Sequence, residues 1–328
     1  MPEFNNSKLL QTNIEAVRHT LETSVKRNLT EGLLLSGGLD TSILAGLASN
    51  YQKPYCLTIA LKGAPAPDIE YAKKVAKLFN LEHSIHLISE EEMEEGIYNT
   101  INILGTFDPM EVRNSAACYI GLKLVKAQGL SSVMTGDGGD ELFAGYSFFF
   151  DLDKAQMEKE LAKMWGNMSF SSIPLAQNLG LDVRLPILDS EFKTFALNLD
   201  SSFKVGKHDG QTFGKFILRQ AFESLLSPEI VWRTKAPLEV GTGTTTLPAI
   251  FETRIPDSEF ALKKEHYLKQ DRVNLRDKEH LHYYEIYRGV IGVPHLSVVE
   301  GRKCPECGGN VKENTAYCRI CGAYPISD

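Results

Sequence analysis

The sequence predicts an α/β fold, with a parallel sheet covered by helices on both faces, then a helical C-terminal half and a small cysteine-bound ribbon. Apolar runs of strand length alternate with amphipathic helical segments up to residue 135. Glycine-rich segments follow two of those runs, and two Cys-x-x-C motifs occupy the last 25 residues. We therefore expect an N-terminal helix (1–30), an α/β core (31–150), a mainly helical part (151–300) and the ribbon (301–328).

The individual elements follow from apolar periodicity. Apolar residues recur every three or four positions and predict a helix over 8–28, on the face formed by Leu10, Ile14, Val17, Leu21 and Val25. Short apolar runs predict strands at 32–35, 55–60, 83–88 and 132–135. Helical spacing predicts helices over 43–49, 68–79 and 115–127. Beyond residue 147 the pattern is mainly helical, and we expect a mobile loop at 241–246 and a linker at 294–303.

The composition is that of an ordinary globular protein. The 328 residues suffice for roughly two domains, and 43% are hydrophobic and 23% charged. The net charge of −7 disfavours nucleic acid as a partner of the whole chain. A local basic surface is still compatible with this net charge. No apolar run reaches the about 20 residues of a membrane helix, and the N-terminus has no secretion signal pattern. These features predict a cytoplasmic protein with no membrane partner.

The first glycine-rich segment runs from Ser36 to Ser42 between a predicted strand and a predicted helix. Backbone N–H groups of Gly37 and Gly38, the two serine hydroxyls and the helix N-terminus would together hold a phosphate. Asp40 would be repelled by phosphate and is better suited to bind Mg²⁺ beside it. The segment is not a Walker A loop. A tight structural turn is the alternative.

The second glycine-rich segment, from Thr135 to Tyr146, follows another predicted strand and contains three acids, Asp137, Asp140 and Glu141. Acids this close repel one another unless a cation lies between them. Asp140 together with Asp40 would supply two carboxylates to one Mg²⁺. A solvated turn is the alternative for this segment taken alone.

Four of the six cysteines, Cys304, Cys307, Cys318 and Cys321, form two Cys-x-x-C motifs ten residues apart. This spacing predicts a tetrahedral Zn²⁺ site with Zn–S distances of about 2.3 Å. Two disulfides or an iron site are the alternatives. Four thiolate ligands leave no open position, so the zinc would be structural. Cys56 and Cys118 lie in apolar surroundings and are expected to be buried packing residues.

The two glycine-rich segments resemble those of the synthetase domain of glutamine-hydrolysing asparagine synthetases, in the N-type ATP pyrophosphatase (PP-loop) superfamily. Segments 182–189 and 228–235 match further motifs of that family. The resemblance implies an adenine nucleotide alpha hydrolase-like fold and a specific reaction. ATP would adenylate a carboxylate with release of pyrophosphate, and ammonia or an amine would then displace AMP to form an amide.

The resemblance also implies roles for particular residues. The set expected to bind ATP and pyrophosphate is Ser36, Gly37, Gly38, Asp40, Thr41, Ser42 and Gly136. Asp40 and Asp140 would hold Mg²⁺. The expected catalytic set is Asp137, beside the attacking nitrogen, Lys235 and Arg233, which would stabilise negative charge, and Asp182. Arg184 is expected to be buried and paired with Asp182 or Asp189.

The sequence departs from the family pattern at the acceptor. The family usually has Glu where this chain has Asp137 and Asp182, and Arg113 stands where an anion is usual, which leaves the carboxylate substrate open. Pro2 stands where a glutaminase nucleophile would be, and only about 35 residues precede the first loop. We therefore expect a small-molecule carboxylate substrate and nitrogen from free ammonia, a substrate amine or a separate glutaminase subunit. The oligomeric state is not readable from the sequence.

The sequence also allows two other hypotheses. The same adenylation could act on a macromolecule such as tRNA, with the zinc ribbon docking RNA or a partner protein. Alternatively, the chain could bind a nucleotide without catalysis, although the presence of Asp40, Asp140 and Lys235 disfavours that reading.

Overall fold

The computed structural model describes residues 2–297, 301–313 and 315–326. The strands within them are β1 (Gly32–Leu34), β2 (Tyr55–Leu61), β3 (His83–Ile88), β4 (Ser132–Met134), β5 (Asp182–Arg184), β6 (Val205–His208) and β7 (Gln211–Gly214). The helices are α1 (Pro2–Arg27), α2 (Leu39–Ser49), α3 (Asp68–Phe79), α4 (Glu90–Leu104), α5 (Pro109–Ala127), α6 (Gly139–Leu142), α7 (Lys154–Asn167), α8 (Ser172–Leu179), α9 (Ser190–Asn198), α10 (Phe216–Phe222), α11 (Pro228–Val231), α12 (Leu238–Thr242), α13 (Leu247–Arg254), α14 (Asp257–Asp271) and α15 (Lys278–Val290). Short 3-10 helices lie at Ser147–Phe149, Pro186–Leu188, Ser201–Phe203, Thr244–Thr246 and Pro294–Ser297.

The first five strands form one parallel sheet in the order β3-β2-β1-β4-β5. Leu33 of β1 pairs with Cys56 of β2 on one side and with Met134 of β4 on the other. The chain moves outward from β1 to β3 and then resumes at β4, so the strand order reverses between β1 and β4. Ligands of such sheets bind at the carboxyl ends of the strands, at the point of reversal. Both glycine-rich segments begin there.

Helices cover both faces of this sheet, which confirms the predicted fold class. On one face, Leu33 and Leu35 pack with α1, α2, α3 and α10. On the other face, Leu57 and Val133 pack with α4, α5 and α15. The side chains of β1 and β2 alternate between the two cores, as a strand buried on both faces requires.

Two helix N-termini differ from the sequence expectations. No helix is predicted at 90–104, yet α4 begins there with a capping box in which Ser89 and Glu92 each bind the other's backbone N–H, at 3.2 and 2.8 Å. The helix predicted from residue 115 begins at Pro109. Asp108 caps it by accepting a hydrogen bond from the Met110 N–H at 3.3 Å. The earlier start brings α5 to the edge of the candidate site.

The C-terminal half is mainly helical, as predicted, with additions. β6 and β7 form an antiparallel hairpin, and β5 extends the central sheet. The segment 241–246, expected to be a mobile loop, is helical, and Thr244 is fully buried. Residues 298–300 of the expected linker lie outside the described residues. In the part of the chain that the structure describes, no helix is long and apolar enough to cross a membrane.

Candidate active site and metal centre

The first glycine-rich segment joins β1 to the N-terminus of α2. Ser36 Oγ accepts a hydrogen bond from the Gly38 N–H at 3.2 Å and lies 3.0 Å from Thr41 Oγ1. Gly37 has a φ of 70° and approaches the α3 backbone so closely that a Cβ would overlap it. Ser42 Oγ is buried and has no hydrogen-bond partner among the described residues. The segment thus offers N–H and hydroxyl donors at a helix N-terminus, which favours an anion.

The carboxylates of the two segments meet around a buried lysine. Lys215 Nζ lies 2.5 Å from Asp40 Oδ2 and 2.9 Å from Asp140 Oδ1. Lys235 Nζ lies 2.8 Å from the same Asp140 oxygen. This approach depends on Gly139, because a Cβ at that position would overlap the Asp40 carboxylate. Two acids and two ammonium groups therefore form one cluster at the carboxyl edge of β1 and β4, hereafter the lysine–aspartate cluster.

The charges of this cluster are set by burial and by mutual attraction. Burial raises the pKa of Asp40, against the opposing effect of Lys215. Burial also acts to raise the pKa of Asp140, but Lys215 and Lys235 outweigh it and hold that pKa below its ordinary value. Burial lowers the pKa of Lys215, and Asp140 and Asp40 overcome this and raise it. The charged forms of Asp140 and Lys215 therefore stabilise each other, whereas burial disfavours the ionised form of Asp40.

The donor set also suits a divalent cation. Asp40 Oδ1 is buried and has no hydrogen-bond partner in the described part of the chain. A buried carboxylate oxygen without a partner is costly unless it receives a cation or a hydrogen bond. Asp40 and Asp140 could therefore hold Mg²⁺, which prefers carboxylate and phosphate oxygens.

Lys215 was not identified from the sequence. It follows the β6–β7 hairpin, has a φ of 54° and precedes α10, with its backbone N–H donating to Phe143 O at 2.9 Å. A single lysine before a helix has no motif of its own. Its role depends on a contact with Asp40, which is 175 residues away in the chain, and no local pattern reports such a contact.

Asp137, in the second glycine-rich segment, has hydroxyl partners but no described basic partner. Its Oδ2 accepts hydrogen bonds from Thr135 Oγ1 at 2.9 Å and from Ser172 Oγ at 2.5 Å. Burial raises the pKa of Asp137, although both hydroxyls act to lower it. A carboxylate with a raised pKa at the wall of a cavity can take a proton from a nitrogen nucleophile.

Arg233 is held on two sides. Its Nη2 lies 2.7 Å from Asp68 Oδ1, and its guanidinium lies 3.9 Å from the centre of the Tyr71 ring. Its Nη1 is 3.4 Å from the carbonyl oxygen of Gly37. These contacts fix the guanidinium beside the first glycine-rich segment, where it adds positive charge.

A cavity of about 470 Å³ joins these groups. Of the predicted site residues, nine line it: Ser36, Gly38, Asp40, Thr41, Gly136, Asp137, Asp140, Arg233 and Lys235. Gly37 and Ser42 belong to the same loop but do not line the cavity. Its volume lies within the about 300–1,000 Å³ of small-molecule sites.

Asp182 is the predicted catalytic residue that the structure does not bring to the cavity. It pairs in register with Ser132, at the amino end of the strands and opposite to the glycine-rich segments. Its side chain is about half exposed and lies 2.6 Å from Arg184. Arg184 is exposed rather than buried, although its pairing with Asp182 was anticipated. This position argues against catalysis by Asp182.

Helix α5 forms another wall of the cavity, through Met110, Asn114 and Cys118. Cys118 packs against the hydrophobic core, as expected from the sequence, but it is half-buried at this wall rather than fully buried. Arg113, the next residue to Asn114, has its Nη1 2.7 Å from Glu279 and its Nη2 3.3 Å from Glu239. Its charge is therefore neutralised by two acids.

The four ribbon cysteines are buried, and their Sγ atoms all lie within 4.8 Å of one another. Cys304 and Cys321 are 3.7 Å apart, and Cys307 and Cys318 are 3.8 Å apart. A tetrahedral site with Zn–S of about 2.3 Å has S···S edges of about 3.8 Å, whereas a disulfide needs about 2.05 Å. The geometry matches a four-thiolate metal site and excludes disulfides in this state.

The ribbon packs against the start of α5. The Phe107 N–H donates to Ile320 O at 2.7 Å, and Tyr317 donates its hydroxyl to Asp108. Arg276 binds the carbonyls of Cys321 and Gly322 at 2.9 and 2.8 Å. The ribbon cysteines share a hydrophobic core with α4, α5 and α15. The ribbon is therefore an integral support of the α5 wall.

Comparison with known proteins gives one family. A family model described as asparagine synthase matches residues 16–178 and 174–287. A probable glutamine-hydrolysing asparagine synthetase of Schizosaccharomyces pombe is 31% identical over 288 residues, covering 76% of this chain and 51% of the relative. Asparagine synthetase B of Escherichia coli is 28% identical over 267 residues, covering 74% and 47%. The chain spans about half the length of the curated relatives it matches.

Among solved structures, that of an NMN synthetase from Francisella tularensis aligns with 85% of this chain and 93% of its own. The identity is 15% and the TM-score is 0.40. A score of this size supports no argument about function.

Proposed function

Because the chain belongs to the asparagine synthase family, we propose that it is an ATP-dependent carbon–nitrogen ligase that releases AMP and pyrophosphate. A substrate carboxylate attacks the α-phosphorus of ATP and pyrophosphate leaves. A nitrogen nucleophile, ammonia or an amine, then displaces AMP and forms the amide. The observation that carries the proposal is the lysine–aspartate cluster beside the first glycine-rich segment, at the edge of one cavity.

Each part of the site has a task in this reaction. The N–H and hydroxyl donors of Ser36, Gly38 and Thr41 would bind the ATP phosphates. Lys235 and Arg233 would stabilise the negative charge of pyrophosphate as it leaves. Asp40 and Asp140 would hold Mg²⁺, which supplies charge neutralisation to the phosphates.

Asp137 would act on the second step. Its carboxylate would accept a proton from the attacking nitrogen, while Thr135 and Ser172 orient it. Because its pKa is raised, it is a better proton acceptor near neutral pH than an ordinary aspartate.

The four cysteines would hold Zn²⁺ in a structural role. All four ligands come from protein, so no position remains open for a substrate. The face of the ribbon that contacts α5 is buried, and this supports a bracing role. None of these contacts favours RNA or a protein as the ribbon's partner. A separate glutaminase remains our proposed nitrogen source beside free ammonia.

The test is carboxylate-dependent exchange of labelled pyrophosphate into ATP, with AMP formation measured after ammonium is added. We expect exchange in the wild type and at least a hundredfold loss in Asp40→Asn, since removing electrostatic stabilisers costs about 10²–10³ in rate. Unchanged circular dichroism would show that the variant is folded. Exchange that persists in a folded Asp40→Asn variant would contradict the proposed role of the cluster.

A further inference from the structure

The cavity carries more acids than available bases. The carboxylate side chains of its lining are Asp40, Asp68, Asp137, Asp140 and Glu239, and the basic side chains are Lys215, Arg219, Arg233 and Lys235. The two lysines and Arg233 are each paired with a carboxylate. Arg219 instead donates to the backbone carbonyls of Gly214, Val231 and Arg233. Every base in this lining therefore already has a partner.

An arginine and two glutamates contact one another beside the α5 wall of the cavity. Arg113, which precedes the lining residue Asn114, is 14% exposed and lies between Glu239 and Glu279. Glu279 also accepts a hydrogen bond from Tyr283 at 2.8 Å, so it is held in place. Glu239 lines the cavity, and among the described hydrogen bonds it uses only Oε2. Because Arg113 is shared between Glu239 and the buried Glu279, it only partly offsets the negative charge that Glu239 presents to the cavity.

Hydrogen-bond acceptors at the same wall are unused. Asn114 Oδ1 is buried without a partner among the described residues, and Asn114 lines the cavity one residue after Arg113. An orphaned buried acceptor is stabilised by a donor from a ligand. Burial and then the charge of Asp137 raise the pKa of the Cys118 thiol, so Asp137 lies towards the other end of this wall. Positions 113 and 118 are separated by roughly 7.5 Å along a helix.

We infer that the substrate acid carries a positively charged nitrogen group that faces Glu239 and Asn114, and no second carboxylate. This inference rests on the proposed ligase function and names its substrate class. The proposed reaction requires one substrate carboxylate in the cavity, the one that is adenylated beside Lys235. A second carboxylate at the α5 wall would face Glu239, whose charge Arg113 only partly offsets, and like charges in contact are strongly disfavoured.

The test uses four acids that differ by one group at a time. β-Alanine is L-aspartate without its α-carboxylate, succinate is aspartate without its ammonium group, and propionate lacks both. The readout is ATP–pyrophosphate exchange by the full chain with Mg²⁺, which needs no nitrogen nucleophile. We expect β-alanine to give the highest kcat/KM, with aspartate and propionate at least about tenfold lower and succinate lowest.

Variants of Glu239 identify the group responsible. Glu239→Gln leaves the Arg113 guanidinium with one acid, so the ratio of aspartate to β-alanine should rise about tenfold. Glu239→Asp retains the negative charge and should keep the wild-type ratio. Aspartate exchange as fast as β-alanine exchange in the wild type, or a ratio that Glu239→Gln does not move, would overturn the inference alone. No exchange with any acid would overturn the proposed function, and the inference with it.

Discussion

Ser172 donates its hydroxyl to the buried carboxylate of Asp137 at 2.5 Å, from a helix 35 residues further along the chain. Ser172 begins α8, whereas Asp137 lies in the turn after β4. The hydrogen bond favours the ionised carboxylate, and burial opposes it. The proton affinity of Asp137 therefore depends on a residue that does not line the cavity.

Replacing Ser172 by Ala should move the acid limb of the pH–rate profile to higher pH. The base form of Asp137 is the active one in our proposal, so the rate falls as the pH falls through its raised pKa. A hydrogen bond to a charged group contributes about 1.5–3 kcal/mol, so we expect a shift of roughly one to two pH units. The profile of AMP formation with ammonium measures it. Ser171→Ala is the matched control, and equal profiles for the two variants would refute the role of Ser172.

Replacing Lys215 by Met should destabilise the fold as well as abolish activity. The change leaves Asp40 without its ammonium partner, and breaking a buried ion pair costs about 3–5 kcal/mol. Urea unfolding measures the loss. The double variant Asp40→Asn with Lys215→Met should recover most of this stability and no activity. A double variant as unstable as Lys215→Met would show that charge is not the cause.

Replacing Arg233 by Lys should raise the KM for ATP by about ten- to a hundredfold. The lysine keeps the charge but loses the planar contact with Tyr71 and the fixed geometry with Asp68, together about 1.5–3 kcal/mol. Steady-state kinetics at saturating acceptor measures it. Arg27→Lys is the control, because that arginine is 43% exposed and pairs at the surface. If Arg233→Lys and Arg27→Lys had the same KM for ATP, the contact of Arg233 with Tyr71 would have no role in binding ATP.

Replacing Cys307 by Ser should remove bound metal and lower the melting temperature. Metal analysis by mass spectrometry should find one zinc per wild-type chain and much less in the variant, since the site needs four thiolates. Cys56→Ala is the control, because Cys56 is buried outside the cluster and its loss should not change the metal content. The proposed zinc site would be contradicted if the wild-type protein contained no metal and the Cys307→Ser variant melted at the same temperature as the wild type.

Local patterns predicted the fold well where they were strong. The apolar periodicity predicted α1, and the alternation of strands and helices predicted the parallel sheet. Both predictions were possible because the burial of an apolar face leaves a local pattern in the sequence. The start of α5 could have been found from Asp108 and Pro109, and α4 from Ser89 and Glu92, since these are cap signatures.

Site residues were predictable from the sequence only where they belong to a recognisable local motif. The glycine-rich segments were recognisable, whereas Lys215 was not, because its importance comes from a distant contact. Asp182 shows the opposite situation. A motif match suggested catalysis, but the parallel register puts this residue at the amino end of β5, on the wrong edge of the sheet.

The separation of 175 residues between Asp40 and Lys215 also bears on the order of folding. Closing so long a loop is entropically costly, and contacts of this kind form late. Until the β6–β7 hairpin docks and delivers Lys215, the carboxylates of Asp40 and Asp140 keep their hydration shells. We therefore expect the last step of folding to be the expulsion of that water, so that the core of the sheet is protected from hydrogen exchange before the catalytic edge is.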